Sequence, residues 1–123
     1  MSGHVANGIA ALFLACGQDV ACVSEASVGI TRLELTGTGN LHCAVTLPNL
    51  IVGTVGGGTR MPTARECLRI MRCEGAIANK RQASKFAEIA AAVALVGEIS
   101  IVGAICAGEF AGSHERFGRA PAG

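Results

Sequence analysis

The chain has no tryptophan and no tyrosine, and its four aromatic residues are all phenylalanine. With so few rings, the core must close largely through Ala, Val, Ile and Gly, so its elements have to approach closely. Charge is scarce too: Asp, Glu, Lys and Arg make up 15% of 123 residues, with a net charge of +1. That balance removes the electrostatic basis for binding nucleic acid or an anionic membrane. Half the residues are hydrophobic. So apolar a chain argues against a self-sufficient soluble monomer and for burial against another domain or subunit. Nothing at the N-terminus has the basic region and apolar stretch of a secretory leader. The six cysteines (Cys16, Cys22, Cys43, Cys67, Cys73, Cys106) form no CxxC pair and no His–Cys metal spacing. No metal site is expected, and the thiols read as reduced, mostly buried and cytosolic. The length sets one domain, or part of a larger one.

What is there centres on residues 47–66, LPNLIVGTVGGGTRMPTARE. An apolar run, Leu50, Ile51 and Val52, leads into Gly56, Gly57 and Gly58 and then into a helix start. Such a loop lets several peptide N–H groups face one flat or phosphorylated ligand, and the helix adds its positive end. Pro62 suits the first helical position, while Thr63 and Glu66 have capping-box spacing. The pattern is neither a Walker loop nor a spaced-glycine dinucleotide fingerprint. On pattern alone, a tight turn made of glycine for packing stands beside the ligand reading.

Along the rest of the chain, residues 1–17 read as a helix, with Ile9, Leu12, Phe13 and Cys16 at helical spacing and Gly17 as its stop. His4 and Asn7 lie one turn apart near its start. Asp19 follows at a junction where a helix cap is the ordinary role, and residues 19–26 allow a second short helix. Residues 30–35 alternate, TGTGN turns, and residues 41–54 alternate or run apolar, giving a hairpin or meander with Pro48 at an edge or bulge. His42 is an ordinary sheet-face residue there. Residues 63–72 form a short amphipathic helix, and residues 74–82 form a loop.

Residues 83–110 are the most hydrophobic. Glu88, Glu98 and Glu109 interrupt them at intervals of 10 and 11 residues, so they read as a buried helix, or two helices broken near Gly97 or Gly103. A membrane span needs about 18 apolar residues in succession. The small, polar, basic tail, residues 112–123, reads as loose, and a lone His114 there is most simply silent.

Taken in order, HVAN, ACGQDVA, TLPNLIVGTVGGGT, GEIS and SHERFGR resemble the C-terminal part of 3-hydroxy-3-methylglutaryl-CoA (HMG-CoA) reductase, over nearly the whole chain. GTVGGGT is the most specific piece and is similar to the NADPH-preferring class. The resemblance implies reduction of the HMG-CoA thioester to mevalonate, with release of CoA, by two hydride transfers. It aligns Asp19 with the family's catalytic Asp, and His114 with the His that protonates the departing thiolate. It makes His4 and Asn7 substrate contacts, places Gly56, Gly57 and Gly58 at the cofactor, and puts Arg119 near the 2′-phosphate of NADPH. The chemistry suits these types, since a thiolate needs an acid with a pKa near neutrality and an Asp can hold the Lys that faces a developing oxyanion. Ala120 stands where animal members carry a phosphorylated serine, so that switch is not expected here.

The same resemblance places the catalytic Glu and Lys, and most of the NADPH-binding domain, upstream of this segment. The expectation is a fragment or truncated gene that has no reductase activity alone. The expected fold is α+β, helices packed on a small antiparallel sheet. The resemblance implies that residues 1–123 are one segment of the large, substrate-binding domain, in a cytoplasmic homodimer or higher oligomer with no nucleic-acid or membrane partner. The alternative is a non-catalytic truncated homologue serving as a dimerisation or interaction module. A membrane-associated peptide built on residues 83–110 is a third reading, opposed by the spaced glutamates.

Overall fold

The computed structural model describes residues 2–76 and 81–118. Helix α1, Val5–Ala15, is crossed by the long helix α4, Gln82–Cys106. Val5, Ile9 and Phe13 repeat every four residues along α1, and Phe86, Ala90 and Ala94 do so along α4. The two stripes face each other and enclose a core with Ala26 of the short helix α2, Val23–Ala26. Two alanines at the crossing bring the helix axes close, which offsets the shortage of large side chains. A second cluster, Cys16, Leu68, Cys73 and Phe86, joins the end of α1 to α4 and to α3, Pro62–Ile70.

Strands β1, Ile30–Leu35, and β2, Leu41–Thr46, form one antiparallel hairpin in which Arg32 faces Ala44 and Glu34 faces His42. Its β2 side leans on α4, where Val45 packs against the first core. Thr31, Cys43 and Ala44 are half-buried with Val45, and the remainder of the hairpin is exposed, His42 included. Helices over a two-stranded sheet make the chain α+β, as expected.

Where the sequence left alternatives open the structure takes one of each, and some expectations need correction. The apolar residues 47–54 form no strand, so the hairpin has two strands and no third. Helix α3 begins at Pro62 with Met61 as its N-cap, and Thr63 makes no capping bond. Pro62 takes the first helical position and leaves Thr63 at the second, two places past the N-cap that a capping box requires. Residues 82–106 form one unbroken helix, because Gly97 and Gly103 cost about 1 kcal/mol each without blocking the hydrogen-bond ladder. The break falls instead at Gly108, which has φ +72°, and is followed by α5, Glu109–Phe117. Much of the supposedly loose tail is therefore helical. Glu109 in its first turn and His114 and Arg116 in its last complement the helix dipole.

The thiols are less buried than composition suggests: Cys16 and Cys73 are buried, and Cys106 is exposed. Burial pushes the Cys16 thiol up to about 11, with Cys67 and Cys73 adding to the effect. At neutral pH it is a protonated core residue rather than a nucleophile. Helix α4 is buried along one stripe, while Val96 and Ile105 are 66% and 57% exposed. By length and composition alone it could cross a membrane.

Candidate functional site

Just past the end of helix α1, Gly17, with φ +64°, turns the chain back across residues 53–59. The two backbones are pressed together there. A Cβ on Gly17 would sit 2.3 Å from the Gly58 carbonyl oxygen, and one on Gly58 would sit 2.6 Å from that of Gly17. Next to this contact, the Gln18 carboxamide reaches across to Gly53. Its Oε1 accepts from the Gly53 N–H at 2.8 Å, and its Nε2 donates to the Gly53 carbonyl at 2.9 Å and to that of Cys16 at 3.1 Å. The spacing of residues carries no trace of this side chain–backbone pairing across 35 positions.

Between these loops lies a cleft of about 500 Å³, lined by Asp19, Cys22, Ile51, Val55 and the glycine loop among others. Asp19, the one charged residue among the described residues lining it, is exposed. Its Oδ1 accepts from the Ala21 N–H at 2.9 Å and so caps the 3-10 turn Val20–Cys22. The capping role and a place in the cleft therefore coexist in one side chain.

The three glycines do different things. Gly56 and Gly57 have φ of +82° and +52°, and a Cβ on either would meet nothing within 4 Å. Their backbone is open to a ligand, whereas Gly58 is packed. A 3-10 turn, Gly57–Arg60, separates them from α3, and the Thr59 hydroxyl closes the loop by donating to the Gly56 carbonyl. The glycines thus lie on a short turn of their own and not directly at a long helix's N-terminus.

His4 and Asn7 lie at the other end of α1. His4 is half-buried between α1 and α4, its ring lying against Gly97 so closely that a Cβ there would overlap the imidazole at 1.7 Å. With Asn7, Gly8 and Val93 it borders an open apolar groove. Twelve residues of rise separate His4 from Cys16, about 18 Å, so this groove and the Asp19 cleft are distinct places on the described chain.

The backbone at this end is held from α4. Glu98, only 2% exposed, accepts from the N–H groups of Gly3 (3.1 Å), His4 (2.6 Å) and Val5 (3.0 Å). Burial pushes its carboxyl up, but these bonds, with His4 nearby, more than reverse that and hold it below its ordinary value. The sequence showed Glu98 as an interruption in an apolar run, with no sign of this role.

His114 is on α5, exposed, with its Nδ1 3.0 Å from the Phe110 carbonyl oxygen and its ring 4.4 Å from that of Phe110. It lines none of the Asp19 cleft. The structure brings Asp19 and the glycine loop together and leaves His4, Asn7 and His114 elsewhere. Arg119 lies outside the described residues. Among the described residues, no three His, Cys, Asp or Glu side chains gather as metal ligands.

Residues 1–119 match the sequence family described as Hydroxymethylglutaryl-coenzyme A reductase. The chain is 48% identical over 118 residues to a 3-hydroxy-3-methylglutaryl-coenzyme A reductase of Methanocaldococcus jannaschii, covering 96% of this chain and 28% of that protein. It is 47% identical over 119 residues to one from Pyrococcus abyssi, covering 96% and 29%. It is 38% identical over 121 residues to 3-hydroxy-3-methylglutaryl-coenzyme A reductase 1 of Arabidopsis thaliana, covering 96% and 20%. The chain spans less than a third of the length of each.

Proposed function

Since the chain belongs to the hydroxymethylglutaryl-coenzyme A reductase family of oxidoreductases, we propose that it supplies one side of a site reducing HMG-CoA to mevalonate and CoA. The observation that supports this most directly is the single cleft shared by Asp19 and the Gly56–Gly57–Gly58 turn. NADPH is the cofactor in this reading, and it supplies the hydride. The open backbone at Gly56 and Gly57 fits the close approach of a flat carboxamide-bearing ring. The negative Asp19, with no cation among the described lining residues, makes the cleft a poor place for the phosphates. Those belong with Arg119 and with residues the chain does not contain.

Asp19 holds the ammonium of a Lys supplied from outside this chain, next to the oxygen on which charge develops. His114 protonates the CoA thiolate, and α5 must come to the cleft, or meet the cleft of a second subunit, to do so. His4 and Asn7 contact the acyl-CoA substrate. Exposed apolar side chains such as Leu14, Val96 and Ile105 support burial of α1 and α4 against the rest of the enzyme or a second copy. In this reading α4 is a core helix of a cytoplasmic homodimer, with Glu98 tied to α1 rather than facing lipid.

The test joins this chain to the preceding part of the Methanocaldococcus jannaschii reductase and follows NADPH oxidation with HMG-CoA. The fusion should turn over and the 123-residue chain alone should not. Asp19→Asn and His114→Gln should each lower kcat by about 10²–10⁴. Full rates in both variants would refute the two assignments. The exposed apolar faces also favour a second reading, a non-catalytic interaction module. It requires self-association of the chain that Asp19→Asn leaves unchanged, and a fusion without turnover.

A further inference from the structure

We propose that Gln18 is a positioning residue that sets the offset between Asp19 and the glycine turn, and through it the affinity for the dinucleotide. The inference rests on the reductase reading of the cleft. Its basis is the way the loop is anchored. Residues 54–57 arch between two fixed points, Gly53 and Gly58. Consecutive residues of the other loop hold both: Gln18 bonds the N–H and the carbonyl of Gly53, and Gly17 stacks on the backbone of Gly58. Asp19 is the next residue.

One tripeptide therefore carries both anchors and the carboxylate. A shift at either anchor moves the arch relative to Asp19. The Gln18 carboxamide acts as a cross-strand neighbour would, offering one acceptor and one donor to a residue that has no strand partner. The rest of the arch is fastened independently, Thr54 through its hydroxyl to the Gly75 carbonyl and Thr59 to that of Gly56. Loss of the carboxamide should thus displace the arch rather than unfold it. Gln18→Glu is the sharper change, because it keeps an acceptor for the Gly53 N–H while turning a carboxylate oxygen toward two carbonyls.

In the fusion with the Methanocaldococcus jannaschii segment, Gln18→Glu and Gln18→Leu should raise the KM for NADPH at least tenfold. The KM for HMG-CoA should stay within twofold. Amide exchange at Gly53 should quicken while that of α1 and α4 is unchanged. A KM for NADPH within twofold of the parent overturns the proposal, as does an equal rise in both KM values or unfolding of both variants. If the parent fusion itself fails to oxidise NADPH, the reductase reading falls and takes this proposal with it. A working parent with unaffected variants removes the proposal alone.

Discussion

Replacing Glu98 with Ala should destabilise the chain by about 2–4 kcal/mol, because backbone N–H groups at the start of α1 lose a charged acceptor. Two of the three bonds are part-buried and the Val5 bond is fully buried, so water replaces them poorly. Glu98→Gln would keep the shape but present an NH₂ group to the same donors, at a cost of about 1–3 kcal/mol. The folded carboxyl is held below its ordinary value of 4.5. Its contribution is therefore complete above the unfolded pKa and disappears as pH falls through the lower folded one. Urea midpoints from pH 7 downward should show the wild type losing stability on the acid side more steeply than Glu98→Gln. Parallel curves would mean that Glu98 is not the linked group. His4 should move with Glu98, since its N–H makes the shortest of the three bonds, at 2.6 Å.

The parts of this molecule governed by nearest neighbours could be read from sequence: the hairpin around TGTGN, the proline at the start of α3, the Gly17 stop. Each follows from the local conformational preference of a few residues. The cleft could be read in outline, because Asp19 and the glycine turn are each marked by type. What joins them could not. The Gln18 clasp and the Glu98 cap are contacts between residues 35 and 93–95 positions apart. Neither leaves any periodicity behind. Glu98 was visible as a charge, yet its partners are backbone N–H groups, which no residue type announces. Helix α5 was obscured for the opposite reason. It is one short helix with only Phe110 and Phe117 as large apolar residues, and it is buried nowhere along its length. Its start is fixed by a single left-handed glycine, Gly108.

These long-range ties explain how a chain poor in aromatics holds a site. At its crossing with α1, helix α4 presents Ala90 and Ala94, both buried against Val5, Ile9 and Phe13, and Gly97, whose missing side chain leaves room for the His4 ring. Residues this small on α4 interdigitate little, so packing alone does less to lock orientation. Polar side chains at each end of α1 do so instead, Glu98 at one and Gln18 at the other. Both act on backbone groups, and each sits next to a predicted ligand-facing residue, His4 and Asp19.

Gly17→Ala should be among the most damaging single substitutions in the chain. Two costs add. An alanine at φ +64° carries roughly 1–2 kcal/mol of conformational strain. Its Cβ must also clear the Gly58 carbonyl, and the obstacle is main chain on both sides, so no rotamer change relieves it. The loops must separate, which strains the Gln18–Gly53 bonds next to them. Gly58→Ala creates the mirror overlap, against the Gly17 carbonyl, without the positive φ. Gly56→Ala has the positive φ and open space. The series thus separates strain from overlap. In urea titration, Gly56→Ala should lose about 1–3 kcal/mol, because its φ of +82° and ψ of 178° form a region kept by glycine, Gly58→Ala more, and Gly17→Ala the most. In the active fusion, NADPH oxidation should fall by about 10²-fold or more for Gly17→Ala and Gly58→Ala. Equal stability losses at Gly17 and Gly56 would show that the backbone contact gives way easily, and that the two loops are not held together there.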